Sequence, residues 1–495
     1  MDGKGSRQAE GRKSVAFVTL GCAKNEVDTE HMRERVADAG YALADDPADA
    51  DAIVVNTCSF IQAATEESLE AVFEAADLPN VASGCAALVV AGCMPARYGA
   101  DLEAELVEAG AFVPCSREDD IALVLAETIG KADGEGAAPC AASSAGKQGE
   151  TTGGEAGATP VILSMRQSSG LSHSRAREAS AGRRREATSG EAAAVEGSSA
   201  PHGPVSAYVK ISDGCDRFCS YCTIPFIRGR YRSFPLDDVR AEVRKQVDRG
   251  VREIVLIAQD TGRWGADFPE PSTLAALVST LAEEHPSTWF RLMYIQPEGL
   301  TDELLEAVAS HANVCDYFDI PLQHVDADIL RAMNRTGSRA DFEALAARVR
   351  RRMPDAALRT TLIAGFPGET DEQFEELCSF VEDADFDYIG VFPYSREEGT
   401  RAHDLPNQVD EDEKADRAQR LRDLADAVCA PRIAARIGRE LDVLVEGREE
   451  DGQLFGRAMC QAPEVDGVTY LEAGEVGDIV RVRVEDTLLY EMEGA

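Results

Sequence analysis

Nowhere does this 495-residue chain hold the roughly 18 consecutive apolar residues that a membrane-spanning helix requires. Its first 13 residues, MDGKGSRQAEGRK, also have no apolar core of the sort that marks an export signal. Both absences lead to the expectation of a soluble, cytoplasmic protein with no membrane partner. Basic charge is scarce too: 50 Lys and Arg face 89 Asp and Glu, a formal net charge of -39. An excess of that sign repels nucleic-acid phosphates and attracts a basic protein. No glycine is followed by Lys-Ser or Lys-Thr, which excludes a nucleotide P-loop. No internal repeat of short period occurs.

What the chain does have is cysteine. Thirteen thiols in a chain without an export signal are more often metal ligands or core residues than disulfides, so their spacing carries the information. A length of 495 residues against a usual domain size of about 100–200 suggests three domains. From Lys131 to Pro204 the composition shifts to Gly, Ala, Ser and Thr, aromatic residues are almost absent, and a basic patch appears at Arg183, Arg184 and Arg185. This stretch reads as a disordered linker, with domains expected at 14–130, 205–435 and 436–495.

In the N-terminal part, apolar runs with the look of buried parallel strands (Val15–Leu20, Ala52–Val55, Ala87–Ala91) alternate with helix-like stretches such as Glu26–Ala39 and Ala64–Ala76. That pattern predicts an open, Rossmann-like α/β layer. Six further strand candidates, Ala207–Ile211, Glu253–Ala258, Phe290–Ile295, Tyr317–Ile320, Leu358–Ala364 and Tyr388–Phe392, mostly separated by amphipathic helices, predict a partial (β/α)6 barrel. Short alternating segments at Leu441–Val445, Val468–Leu471 and Asp478–Val484 predict a small all-β domain at the end.

The phrase GCDRFCSYC sets Cys215, Cys219 and Cys222 as C-x3-C-x2-C directly after the first central strand. Three thiolates on one loop leave a corner of a [4Fe–4S] cluster open for an exogenous chelator. A zinc knuckle is the plain alternative, but zinc usually takes four Cys or His ligands and no fourth lies close by in the sequence. In TTLIAGFPGET the chain turns through Gly365 and Gly368 before a helix near Thr370, and glycines there allow backbone to approach a ligand. Polar residues end other central strands: Gln259 and Asp260, Gln296 and Glu298, Gln323 and His324. In a barrel those ends form the active-site face.

Cys22, Cys58 and Cys93 stand 36 and 35 residues apart, each just past a candidate strand, in VTLGC, VVNTC and VVAGC. The carboxyl ends of parallel strands form one crevice, so three thiols should converge there as a second set of cluster ligands. Burial as plain core thiols explains any single cysteine but not three at equivalent positions. Cys85, Cys115, Cys140, Cys315, Cys378, Cys429 and Cys460 lack such a pattern and read as structural, with Cys85 the nearest confounder.

Two such triplets followed by a small β-domain resemble the methylthiotransferase family of radical S-adenosylmethionine (SAM) enzymes. NTCSFIQAATEESLEAV, MYIQPEGLTDELL, YFDIPLQHVDADILRAMNR and GVFPYSREEGTRA are similar to its branch acting on ribosomal protein S-twelve rather than to its tRNA-modifying branch. The resemblance implies a cluster domain, a radical SAM barrel and a C-terminal TRAM domain. It also implies transfer of a methylthio group to the β-carbon of one aspartate, two [4Fe–4S] clusters, and SAM as radical source and methyl donor. Cys215, Cys219 and Cys222 would hold the radical cluster, Cys22, Cys58 and Cys93 the auxiliary one. Tyr221, Gly365 and Gly368 would contact SAM, with Gln259 a further candidate. The chain departs from the family in its inserted linker and in Asp216, where an Asn is usual. The tail from Arg436 onward holds six basic and fifteen acidic residues, a balance of -9, which suits a basic ribosomal protein better than tRNA. A tRNA adenosine methylthiotransferase and a non-catalytic iron–sulfur protein remain as alternatives. The electron donor is not legible.

Overall fold

The computed structural model describes residues 12–134 and 204–495. Nearly all of the expected linker, with the Arg183 patch and Cys140, lies outside the described residues. The chain divides into two compact units, one with residues 12–134 and Phe226–Arg228, the other with residues 204–225 and 229–495.

The first unit is a five-stranded parallel sheet, β1 (Ser14–Thr19), β2 (Ala42–Leu43), β3 (Ala52–Thr57), β4 (Ala87–Gly92) and β5 (Ala111–Pro114), in the order β2-β1-β3-β4-β5. Every residue of β3 and β4 is buried, which is why both read as unbroken apolar runs rather than alternating ones. Val54 and Val89 pack on one face against Met32, Val36, Ile121 and Leu125. On the opposite face Ile53, Val55, Leu88 and Val90 pack against Leu69 and Val72. The strand order reverses between β1 and β3, where doubly wound sheets open their ligand crevice. The expected strands appear with boundaries shifted by one or two residues. β2 and β5 were not expected: one has two residues, and the other is a half-buried edge strand ending in proline.

The second unit holds all six expected central strands: β6 (Ser206–Lys210), β9 (Glu253–Ile257), β10 (Trp289–Leu292), β11 (Tyr317–Asp319), β12 (Ala357–Ala364) and β13 (Tyr388–Pro393), with a small hairpin of β7 (Ser212–Asp213) and β8 (Arg232–Ser233) beside the first. They form two three-stranded parallel sheets, β6-β9-β10 and β11-β12-β13. The two sheets meet at the bridge of Phe290 with Val314 and, further along, where Ile295 N–H donates to the Asp319 carbonyl at 2.9 Å. Residues 440–494 close into a barrel of β14 (Glu440–Arg448), β15 (Leu454–Ala458), β16 (Thr469–Leu471), β17 (Ile479–Leu488) and β18 (Glu491–Gly494).

Buried charge stitches this small barrel to the core. Glu253, at the start of β9, accepts from Arg291 Nε at 2.8 Å and also pairs with Arg457 of β15. Arg457 reaches Glu446 of β14 at 2.7 Å. Nearby, Arg359 of β12 bridges Asp319 (2.9 Å) and Asp466 (3.4 Å), and the Tyr317 hydroxyl donates to Asp466 at 2.5 Å. Charges this deep are tolerated only when each has several partners. Burial alone would raise the Glu253 carboxyl, but Arg457 and Arg291 hold it at about 2. Glu253→Ala, which leaves Arg291 without its carboxylate and Arg457 with Glu446 alone, should lower stability by about 3–5 kcal/mol in denaturant titrations. Because the folded pKa lies below the usual carboxylate value, the advantage of wild type should be full at neutral pH. It should shrink as the pH falls from about 4.5 towards 2.

Candidate active site

The strand register delivers the N-terminal cysteines to one edge. Thr57 pairs with Gly92, so Cys58 and Cys93, each the next residue, emerge side by side. Cys22 follows β1 as the N-cap of the helix Ala23–Asp38. Gly21 has φ +94°, and a Cβ there would lie 2.5 Å from Cys58 Cβ, so only glycine lets the Cys22 turn come this close. Gly92 is equally constrained, since its Cβ would meet Asn56 Oδ1 at 2.2 Å. Cys85 precedes β4 whereas Cys93 follows it, which puts the expected confounder at the opposite end of the strand.

Polar groups fix this edge. Asn25 donates to the carbonyls of Leu20 (2.8 Å) and Thr57 (3.0 Å), clamping the β1 and β3 ends. Ser68 donates to the Cys58 carbonyl at 2.8 Å. The Arg228 guanidinium, 2% exposed, pairs with Asp28 at 2.5 Å and donates to Asn25 Oδ1 at 2.7 Å and to Cys93 Sγ at 3.6 Å. Cys115, expected to be structural, instead stands 4.0 Å from Cys93 and donates its S–H to it. That hydrogen bond, aided against burial by Arg228, lowers the Cys93 thiol to about 6. Burial, reinforced by charge on Cys93 and Cys22, pushes Cys58 up to about 12.

The central loop is built the same way from different parts. Cys222 N–H closes a turn on the Cys219 carbonyl at 3.0 Å, and Ser220 N–H donates to the Met333 carbonyl at 2.9 Å. Asn334, in the left-handed region at φ +59°, donates to the carbonyls of Arg217 (2.9 Å) and Phe218 (3.0 Å). Arg335 donates to Cys219 Sγ at 3.8 Å, to Gln296 Oε1 at 2.8 Å and to the Pro321 carbonyl at 2.6 Å. Arg217 pairs with Asp260 (2.7 Å) and Glu298 (3.0 Å). Burial and the charge of Cys219 push Cys222 up to about 12. The polar strand ends Asp260, Gln296 and Glu298 thus reach the cysteine loop through two arginines.

Other expected residues divide. Gln259 lies close by, donating to Asp213 at 3.1 Å. Tyr221 packs against a cluster with Ile329, Met333, Phe366, Tyr394 and Ala402. Gly365 has φ +76°, but the close approach it permits is to Lys414, 2.6 Å from a Cβ built there. Gly368 has open space around it. Glu369 holds the turn between them, accepting from Gly365 N–H at 3.0 Å while pairing with Arg417 at 2.8 Å. His324 is buried against Glu369 at 3.4 Å, and Gln323 spends its N–H on the Thr361 carbonyl. Thr370 caps the following helix with a reciprocal bond to Gln373. Sequence reasoning missed Arg228, Asn334, Arg335 and Cys115. Asn334 and Arg335 close the phrase YFDIPLQHVDADILRAMNR that carries the resemblance, and Cys115 stands just after a short apolar run, whereas Arg228 had no such signal.

Among the described residues, no three His, Cys, Asp or Glu side chains converge as donors to a single metal ion. An isolated zinc centre would require such convergence. A [4Fe–4S] cube instead seats each cysteine on a different iron, so its ligands stand farther apart. Three cysteines on one loop with the half-buried Arg335 aimed at one sulfur fit such a cluster. Ser220 Oγ, Gln259 Oε1 and Asp260 Oδ1, buried beside that loop with no hydrogen-bond partner among the described residues, fit a polar ligand next to it. Replacing Asn334 by Ala removes two hydrogen bonds and leaves a strained φ. It should cost about 2 kcal/mol in denaturant titrations and reduce the iron retained per chain after gel filtration.

Comparison with known proteins agrees with this construction. The Radical SAM superfamily model matches residues 209–381, the family described as UPF0004 matches 14–113, and the TRAM domain matches 437–495. TsrM, a radical SAM methyltransferase from Kitasatospora setae solved with cobalamin and a [4Fe-4S] cluster, shares the fold at 15% identity and TM-score 0.50, over 79% of this chain and 74% of its own. The fold and the central loop define a radical SAM enzyme. Ribosomal protein uS12 methylthiotransferase RimO of Geobacter sulfurreducens is 39% identical over 98% of both chains. RimO of Syntrophotalea carbinolica is 40% identical over 99% of this chain and 98% of its own. The chain belongs to the RimO family of methylthiotransferases.

Proposed function

We propose that this protein methylthiolates the β-carbon of an aspartate in ribosomal protein uS12, using two [4Fe–4S] clusters, one on Cys215, Cys219 and Cys222 and the other on Cys22, Cys58 and Cys93. The observation that carries the reading is the pair of separate cysteine sets, each with an arginine donating to one of its sulfurs: the half-buried Arg335 to Cys219 and the buried Arg228 guanidinium to Cys93. When bound, the central cluster with SAM supplies the radical that takes hydrogen from carbon, and the N-terminal cluster and a second SAM supply sulfur and methyl.

The chain's own residues hold and orient these groups. Arg335 offsets thiolate charge at Cys219 and ties the loop to Gln296 and Pro321. Ser220 Oγ, Gln259 Oε1 and Asp260 Oδ1 offer polar contacts for SAM, and Gly368 leaves room for its backbone approach. Glu369 keeps that turn rigid through Arg417.

Charge favours a protein substrate over tRNA. The C-terminal barrel presents a groove lined by Glu449, Glu450, Asp451, Glu472, Glu485 and Glu493, which repels phosphates and complements a basic ribosomal protein. Among the described residues no helix is long and apolar enough to cross a membrane, and a ribosomal substrate supports a cytoplasmic location.

Mass spectrometry of uS12 co-expressed with the enzyme should show one aspartate with a methylthio group in place of hydrogen. Unmodified uS12 beside methylthiolated tRNA would reverse the assignment. Cys58→Ala and Cys219→Ala should each lose one cluster's iron and sulfide and retain the other's. Reversing charge at Glu449 and Glu472 to Lys should slow association with uS12 by about tenfold or more at low salt. That difference should fade as salt rises.

A further inference from the structure

The first unit carries a cysteine at the carboxyl end of four parallel strands, not three. Gly92 of β4 pairs with Pro114 of β5, so the residues that follow them, Cys93 and Cys115, leave the sheet as neighbours. Cys22, Cys58, Cys93 and Cys115 therefore succeed one another across adjacent strands in the order β1-β3-β4-β5. Cys115 opens a short 3-10 helix, is partly exposed, and keeps its Sγ 4.0 Å from that of Cys93. Arg228, which donates to Cys93 at 3.6 Å, places a buried cation beside the pair.

We propose that Cys115 is a fourth, displaceable ligand of the N-terminal cluster. It occupies the iron that Cys22, Cys58 and Cys93 leave unligated and yields it to an incoming sulfur ligand. The inference rests on the two-cluster reading above and adds a residue to it. A four-iron cube takes four thiolates. A thiol beside one ligand, following the last strand of the same edge, needs only side-chain rotation and movement of the six-residue 3-10 helix it opens to reach the fourth corner. The exchange is redox-neutral. The bond from Cys115 sulfur to iron breaks, a bond from sulfide or a methanethiolate-class sulfur to iron forms, and the released Cys115 thiolate takes a proton from water. Capping would keep solvent and oxygen off the reactive iron until the sulfur co-substrate arrives.

The test uses the full chain carrying Cys215→Ala, Cys219→Ala and Cys222→Ala, so that only the N-terminal thiols can hold a cluster, reconstituted without oxygen. Iodoacetamide followed by peptide mass spectrometry should find Cys115 protected in the loaded protein and alkylated once methanethiolate is added. Adding Cys115→Ala should leave the iron content unchanged. It should lower the methanethiolate concentration that half-shifts the electron paramagnetic resonance spectrum of the reduced cluster by about tenfold, as removal of a cap populated nine-tenths of the time requires. Equal affinities with Cys115 alkylated at one rate throughout would make it a bystander and overturn the inference while leaving the two-cluster reading standing. A disulfide between Cys93 and Cys115 in the loaded protein, or loss of the cluster with Cys115→Ala, would overturn it as well. Absence of any cluster in the triple variant would bring down both.

Discussion

Thiolates repel one another and resist leaving water, so gathering several in one place works against the chain's own electrostatics. Burial with that repulsion pushes Cys58 and Cys222 up to about 12. Parallel strands solve the geometric half of the problem, because all their carboxyl ends share one edge and residues far apart in the chain emerge there together. Arginines set against the sulfurs solve the electrostatic half. Arg228 and Arg335 each put a fixed cation against one sulfur of a set, and each is itself anchored by carboxylate, amide or carbonyl oxygens.

The two cysteine sets reach this arrangement by different routes. The N-terminal set draws one residue from each of several strands, so its geometry depends on sheet register and on glycines that permit near contact, as at Gly21 and Gly92. The central set lies within eight residues and depends on a loop held from outside by Asn334, Arg335 and the Met333 carbonyl. The same arginine logic extends to the far end of the core. There Arg291, Arg359 and Arg457 bind buried carboxylates of both the core strands and the C-terminal barrel, and the two form one compact unit.

Much of this was legible in the residues. β3, β4 and β9 announced themselves as near-continuous apolar runs because strands buried on both faces must be apolar throughout, whereas β6, β12 and β13 keep partly exposed positions and were marked by their alternation with helices. β5 did not, since AFVP at a sheet edge is short, half-buried and ends in proline. Missing β5 hid Cys115, whose meaning depends on being the next strand end after Cys93. Tyr221 and Gly365 were flagged by motif, yet they meet an apolar cluster and Lys414. A motif records which residue occurs, not what folds against it.

Where the cause is local, the residues alone were enough: strand and helix periodicity, the C-x3-C-x2-C loop, the cysteine after each apolar strand, and the acidic surface. These follow from spacing and composition, which need no partner to be read. Which distant groups surround each sulfur depends on the folded chain. Arg228 lies 135 residues from Cys93 and Arg335 lies 116 from Cys219. Contacts across such separations are set by strand order and register, and neither is written in the stretch of chain that contains the cysteine.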